Sequence, residues 1–302
     1  MNSLLRGNAL FALSAAVLWG GGDFSGGMGV KSAGGGMRAA LRVVLLSHIT
    51  SFTVLVAIAL LRGDVFPRGV LLAWGVAAGV AGGLSLTCFY IALSRGAMGA
   101  SAALSGLLAA ALPAALTLWQ DGSPGVRALL GFAVAGAAIW LIAAGPAQSA
   151  DDLQSTQGAQ RSTLVLALIA GIGFGLYFVA LKMAGPAGVV WPMATARVGS
   201  LGVCSLMLLG LRLRPATDGE APVRLGRRAV GWALSTALLD TSGNLLFLAA
   251  TRAGRLDVAA VLASLYPAST ILLAALALGE SPTRRQALGM AAAVVAVVLI
   301  AL

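Results

Sequence analysis

The feature that most limits the fold of this 302-residue chain is an internal repeat. Residues 240–302 match residues 82–144 at a constant offset of 158 positions, without a gap. Chance alone could produce many of the alanine and leucine matches in so apolar a chain, so the repeat rests on rarer residues. These pair Phe89 with Phe247, Gly96 with Gly254, Ser123-Pro124 with Ser281-Pro282, and Gly131 with Gly289. The repeat predicts two structurally equivalent halves.

A weaker match extends the repeat towards the N terminus. At an offset of 155 positions, Trp19-Gly20 meets Phe174-Gly175 and Arg42-Val43 meets Arg197-Val198. The halves are therefore predicted to be residues 1–144 and 163–302. Residues 145–162 between them are rich in Gln, Ser, Ala and Asp, and predict a flexible linker. Repeats of this size in an apolar protein are typical of transporter folds, in which substrate binds where the halves meet.

The composition places the chain in a lipid bilayer. With 59% hydrophobic residues, 10% charged residues and a mean hydropathy of +0.94, it has too little polar surface to cover a water-soluble globule. The net charge of +10 does not indicate a nucleic-acid partner, because the Lys and Arg residues lie mostly in short gaps between apolar runs and form no basic face. The sequence predicts an integral membrane protein that binds no nucleic acid.

Ten apolar runs have about the length that a membrane-spanning helix needs. They are residues 8–28, 37–61, 69–94, 98–118, 125–144, 163–183, 192–211, 229–252, 256–278 and 284–302. Backbone groups in lipid must be paired internally, and the runs are too long for barrel strands, so we expect an all-α protein with ten transmembrane helices. A half with an odd number of helices enters the membrane from opposite sides in its two copies. The two five-helix repeats are therefore predicted to be inverted.

The chain resembles the EamA family of the drug/metabolite transporter superfamily. The resemblance rests on the paired halves, Trp19-Gly20, the arginines that open the second and seventh segments (Arg42 and Arg197), Tyr266-Pro267, Gly279-Glu280, Gln286 and Gly289. The first half departs from this pattern, with Asp121-Gly122 in place of Gly-Glu and Ala128 in place of Gln.

The resemblance implies a carrier that works by alternating access and exports small metabolites through a bacterial-type inner membrane. The amino-acid exporters, including those for aromatic amino acids, are the most similar group. Partners would be the bilayer and a small-molecule substrate, with no cofactor or metal, and the carrier could be a monomer or a homodimer. The resemblance also implies cytoplasmic termini. The five arginines of residues 212–228 favour the opposite orientation for the second half under the positive-inside rule.

Charged and aromatic residues inside the apolar runs are the candidates for substrate contact, because a charge at membrane depth is costly and usually functional. Asp23 follows Trp19 by four residues, so both lie on one helix face, although Asp23 could instead be solvated at the interface. The predicted substrate-binding residues are Trp19, Asp23, Tyr90, Ser101, Ser105, Phe174, Tyr177, Phe178, Asp240, Asn244, Phe247, Ser264 and Tyr266.

Several other polar residues and prolines have structural interpretations that need no role in substrate binding. Arg42 and Arg197 are expected to snorkel to the headgroups, although they could pair with an acid such as Asp240, itself expected near a helix end. His48 is expected to be a hydrogen-bonded core histidine, with a proton relay as the alternative. Pro113 and Pro267 fall inside predicted helices and are candidate gating bends or plain kinks.

Small residues at four-residue spacing, such as Gly75, Gly79 and Gly83, predict close helix packing, with cavity lining as the alternative.

Three classes of function remain for such a protein: a carrier, a membrane-embedded enzyme and a pore. An enzyme is not expected, because the chain has one His and lacks the Ser-His-Asp, metal-binding or paired-carboxylate patterns of catalysis. A pore would need polar rings or a carbonyl filter, which no segment shows. The sequence therefore favours a carrier of amino acids, with efflux of drugs or other cationic compounds as the alternative.

Overall fold

The computed structural model describes residues 2–95, 98–143, 152–213, 224–278 and 283–301, and over these residues it contains helices and no strand. The helices are α1 (Asn2–Ser32), α2 (Gly36–Arg62), α3 (Val70–Ser94), α4 (Met98–Asp121), α5 (Val126–Ala143), α6 (Asp152–Ala184), α7 (Val190–Leu213), α8 (Arg227–Ala253), α9 (Leu256–Ala263), α10 (Tyr266–Leu278) and α11 (Arg284–Ala301). A short 3-10 helix, Gly185–Ala187, joins α6 to α7. The predicted all-α class is confirmed.

The ninth predicted segment is divided. It forms α9 and α10, which are separated by a turn at Ser264 and Leu265. The sequence predicts that Pro267 lies inside one continuous helix, and this is wrong. Pro267 is the second residue of α10, where its missing N–H costs no helical hydrogen bond. Pro113 does lie inside α4, and its carbonyl accepts a hydrogen bond of 2.8 Å from the Thr117 hydroxyl.

Helix α6 begins earlier than the sequence predicts. It starts at Asp152 and so includes part of the stretch 145–162 that is predicted to be a linker. Residues 144–151 lie outside the described part of the chain, as do Gly96, most of the polar stretch 212–228, and the Gly279-Glu280 and Ser281-Pro282 pairs of the sequence patterns.

The helices pack in pairs that the repeat relates to each other. Helix α1 packs against α8, and α6, the counterpart of α1, packs against α3, the counterpart of α8. Helix α2 likewise contacts α8 while its counterpart α7 contacts α3, and α5 packs against its own counterpart α11. The large interfaces therefore join one half of the chain to the other. A substrate bound between the halves would therefore lie between helices that the repeat relates to each other.

Polar contacts between distant segments show which helix ends share a side of the molecule. The Trp191 indole donates to the carbonyl of Asp64 at 2.8 Å, and Asn8 donates to the carbonyl of Arg255 at 3.3 Å. We call this side, with residues 8, 62–71, 122, 185–191 and 252–257, the N-terminal end. At the other end, Arg38 donates to the carbonyl of Leu211 at 3.1 Å.

Six helical spans are long and apolar enough to cross a membrane, counted over the described ranges. They are Gly36–Arg62, Val70–Ser94, Ser162–Ala187, Val190–Leu213, Arg227–Ala253 and Leu256–Leu273, and Val126–Ile142 is a shorter apolar helix. The protein is a multi-pass membrane protein.

Helices α3 and α7 approach so closely that glycine is required between them. A Cβ atom on Gly79 would overlap the backbone carbonyl of Ala196, and neighbouring glycines of the same stripe, Gly75 and Gly83, face Thr195 and Ser200. The predicted packing role of this stripe is thus visible in the structure. Gly79 and Gly83 also line the central cavity described below.

We expect Gly79→Ala to lower the free energy of unfolding by about 1–3 kcal/mol, because the added methyl meets rigid backbone rather than a flexible side chain. The apparent melting temperature in detergent would show this as a clear decrease. Gly202→Ala on α7 is the matched control, since a Cβ atom on Gly202 would have no neighbour within 4 Å. Equal melting temperatures for the two variants would contradict the close contact.

Candidate functional site

A cavity of about 40 Å³ lies at the centre of the bundle, between the halves. All of its lining residues come from α1, α2, α3, α4, α6, α7, α8 and α10, and none from α5 or α11. Helix α2 contributes His48 to this lining, and α7 contributes Ala196, Arg197 and Ser200. The cavity is lined by Trp19, Asp23, His48, Gly79, Gly82, Gly83, Leu86, Ala109, Phe174, Tyr177, Phe178, Ala196, Arg197, Ser200, Asp240, Asn244 and Tyr266.

A buried ion pair crosses one wall of this cavity. The Nη2 atom of Arg197 lies 2.6 Å from Oδ2 of Asp240, and the two side chains are 4% and 13% exposed. Asp240 is in the middle of α8 rather than near its end, so both the end placement of Asp240 and the snorkelling of Arg197 are wrong. The alternative of pairing is confirmed. Arg42, the counterpart of Arg197, makes no ion pair with a residue in the described ranges.

The ion pair continues into a hydrogen-bonded chain through His48. Arg197 donates from Nη1 to Nε2 of His48 at 2.8 Å, and Nδ1 of His48 lies 2.5 Å from the hydroxyl of Ser200. A guanidinium can only donate, so Nε2 accepts, and Nδ1 carries the proton of a neutral ring. His48 is the hydrogen-bonded core histidine that the sequence predicted, and it fixes the orientation of Arg197.

A second polar chain joins α6 to α8. The hydroxyl of Tyr177 donates to Oδ1 of Asn244 at 2.6 Å, and Nδ2 of Asn244 donates to the backbone carbonyl of Asp240 at 2.7 Å. On the opposite wall, the hydroxyl of Tyr266 lies 2.7 Å from that of Ser105. Two tyrosines thus have fixed ring positions at the cavity.

Stacked aromatic rings form the apolar wall. Trp19 and Phe178 are nearly parallel, with centroids 5.2 Å apart and planes 7° apart. Phe178 also contacts Phe247, at a centroid separation of 4.5 Å, and Trp19 meets Tyr266 edge to face at 6.5 Å. The arrangement offers a flat, apolar surface to a ligand in the cavity.

Three polar groups near the centre have no partner among the described residues. Asp23 is only 8% exposed, yet its carboxylate makes no hydrogen bond or ion pair with that part of the chain. The Nε–H of Arg197 and the hydroxyl of Tyr90 are buried and likewise unpartnered. Tyr90 packs against Gly26, three residues from Asp23 on α1. A buried polar group without a partner costs about 1–3 kcal/mol, so these groups suit contacts with a polar ligand.

The structure brings eight of the thirteen predicted substrate-binding residues to the cavity: Trp19, Asp23, Phe174, Tyr177, Phe178, Asp240, Asn244 and Tyr266. The other five, Tyr90, Ser101, Ser105, Phe247 and Ser264, are buried behind this lining. Three polar lining residues, His48, Arg197 and Ser200, are not among the residues predicted from the sequence. His48 and Arg197 could have been found because each is a polar residue inside an apolar run. Ser200 could have been found because it shares a helix face with Arg197.

Contacts between segments from both halves join the helices at the N-terminal end. Arg255 pairs with Asp257 at 2.9 Å and also donates to the carbonyl of Gly122 at 2.8 Å, while its own carbonyl accepts from Asn8. The Asp257 side chain is fully buried. Separation of the two halves at this end would break the contacts of Arg255 with Asn8 and Gly122.

No group of three or more His, Cys, Asp or Glu residues is placed to hold a metal ion in the part of the chain that the structure describes.

Comparison with known proteins shows the fold of the chain and a family match for its second half. Residues 161–302 match the sequence profile of the EamA-like transporter family. A solved structure titled "Crystal structure of protein" superposes with a TM-score of 0.67 at 18% sequence identity, covering 97% of this chain and 95% of the other. At that identity the similarity shows a shared fold over nearly the whole length. No curated protein sequence matches significantly.

Proposed function

We propose, from the membership of this chain in the EamA-like transporter family, that it exports amino acids, aromatic ones among them, across a bacterial-type inner membrane by alternating access. The family makes the chain a transporter of the drug/metabolite superfamily. The substrate class and the direction of transport are the proposal, and the central cavity supports the substrate class.

The observation that carries the proposal is that the cavity region has an unpartnered acceptor, an unpartnered donor and a wall of aromatic rings. An α-amino acid presents an ammonium group, which suits the unpartnered Asp23 carboxylate, and a carboxylate, which suits the unpartnered Nε–H of Arg197. Its side chain would then lie against Trp19 and Phe178, whose stacked rings favour apolar and aromatic groups.

The charge of the site disfavours phosphorylated substrates. A phosphate group would need several converging cations at mid-membrane. The cavity lining contains one arginine, Arg197, and its charge is already balanced by Asp240. Asp23 adds a further negative charge. Sugar phosphates and nucleotides are therefore poor candidates.

The size of the cavity supports alternating access. A volume of about 40 Å³ has room for about three waters. Sites that enclose an organic ligand usually have about 300–1,000 Å³. The helices must separate to admit a substrate, and separation at the N-terminal end would break the contacts of Arg255 with Asn8 and Gly122.

Efflux of hydrophobic cations is the second candidate function, and one observation favours it. Asp23 has no cationic partner among the described residues, so the lining has an excess of negative charge that a monovalent cation would neutralise. The faces of Trp19, Phe178 and Tyr266 can also hold a cation. This candidate shares the site and differs in the ligand.

Counterflow of labelled tryptophan, phenylalanine and threonine into proteoliposomes tests the proposal. We expect saturable exchange of all three, with threonine several-fold weaker because it lacks a ring to place against Trp19, a contact worth about 1 kcal/mol. Protein-free liposomes provide the background. Saturable exchange of a quaternary ammonium drug, with no exchange of any amino acid, would replace the proposal by the cation carrier.

A further inference from the structure

A second cavity, of about 800 Å³, lies at the N-terminal end, away from the central one. We call it the end cleft. Its walls come from the last turns of α2 and α8, the connection between α2 and α3, and the 3-10 helix before α7. It therefore spans the boundary between the two halves of the chain. None of the residues assigned to substrate binding lines it.

The end cleft is continuous with the lipid-facing surface. On α8, Leu238, Leu245 and Arg252 follow one another at seven-residue spacing and so lie on one stripe. Leu238 is 69% exposed, and Leu245 and Arg252 line the cleft. On α2, Val54 is 50% exposed and Ile58, four residues later, lines the cleft. An apolar track thus runs from the membrane-facing surface into the cleft.

Two arginines stand where this track reaches the end of the helices. Arg62 is the last residue of α2, and Arg252 is in the last turn of α8, so both are at headgroup depth in a bilayer. Arg62 is 65% exposed and pairs with Asp64 at 3.2 Å. Arg252 uses Nη1 for the carbonyl of Gly185 at 3.2 Å and makes no other hydrogen bond to the described residues. The cleft has a net positive charge and free guanidinium donors.

We propose that the end cleft binds an anionic phospholipid, with the phosphate at Arg252 and Arg62 and an acyl chain along Leu245 and Leu238. A lipid fits better than a free anion because the arginines stand above apolar walls that an inorganic ion would leave empty. The lipid bridges α2 of the first half and α8 of the second. Its binding therefore depends on how the halves are arranged at this end.

Native mass spectrometry of the full chain, with phosphatidylglycerol and phosphatidylcholine in equal amounts, tests the site. We expect about tenfold preference for phosphatidylglycerol at low salt, and its loss in the double variant R62Q/R252Q. Arg68→Gln is the matched control, because Arg68 is exposed on the same connection but does not line the cleft. Equal retention of both lipids by the unmodified chain, or an unchanged preference in the double variant, would overturn the proposal.

Leu245→Trp provides a second test that leaves both arginines in place. The larger side chain fills the cleft and is expected to lower phosphatidylglycerol retention several-fold in a protein that remains monodisperse. Soluble glycerol phosphate is the competitor that separates the two sources of phosphate. We expect it to leave the bound lipid in place, and displacement at millimolar concentration would show a free-anion site instead.

Discussion

Replacing Arg197 with leucine is expected to destabilise the protein by about 3–5 kcal/mol and to abolish transport. The substitution leaves the Asp240 carboxylate in the middle of α8, buried and without its 2.6 Å partner. It also removes the donor to His48. The apparent melting temperature in detergent measures the first effect, and tryptophan counterflow measures the second.

The double variant R197L/D240L separates stability from function. Two apolar side chains of similar volume can replace a buried pair at little cost, so this variant is expected to recover most of the lost stability. We expect it to remain inactive, because the cavity then lacks both charges and Nε–H of Arg197. A single R197L variant that melts like the unmodified chain would contradict the structural role of the pair. A double variant that transports normally would contradict its functional role.

The sequence could predict the helices because hydropathy is a local signal and the repeat is visible in the sequence itself. The predicted segment 69–94 is α3, Val70–Ser94, and the predicted segment 284–302 is α11, Arg284–Ala301. Each span must satisfy its backbone internally, so its ends follow from where polar residues begin. The break between α9 and α10 and the early start of α6 at Asp152 are exceptions. A proline near a break is compatible with both a kink and an interruption, and the sequence leaves that choice open.

The candidate site could be predicted only in part, because its polar contacts join residues far apart in the chain. Arg197 and Asp240 are 43 positions apart, and Arg197 and His48 are 149 apart. Helical periodicity shows which residues share a face, but it does not show the rotation of one helix against another. From the sequence, Arg197 could either snorkel to the headgroups or pair with an acid. The packing of α2, α7 and α8 places it beside Asp240 and His48.

Some positions hold the same residue in both halves of the repeat, whereas several residues of the candidate site differ from their counterparts. Phe89 and Phe247 are equivalent in the two halves and both are fully buried. Asp240, in contrast, has Gly82 as its counterpart, and Asp23 has Phe178. The symmetric Phe89 and Phe247 thus support the fold, whereas neither acidic residue of the cavity has an acidic counterpart in the other half. An asymmetric ligand, such as a zwitterion with one side chain, fits a site built this way.

Asp23→Asn is expected to lose transport, as R197L does, but to keep full stability. Asp23 is 8% exposed and its carboxyl group has no partner in the described structure, so an ionised carboxylate at this position costs free energy in the folded state. The neutral amide removes that cost and keeps the size of the side chain. We therefore expect an unchanged or higher melting temperature, as the cost of a carboxylate without a partner disappears.

Transport by the same variant should fall about 10- to 100-fold, because a hydrogen bond between a carboxylate and an ammonium contributes about 1.5–3 kcal/mol. Counterflow of tryptophan measures the loss, and Asp121→Asn at the exposed end of α4 is the matched control, since it removes the same charge outside the cavity. Asp23→Asn with normal exchange would show that the ammonium binds elsewhere. A large decrease in melting temperature would show that the carboxylate supports the fold, as Asp240 does, and that its place at the cavity is structural.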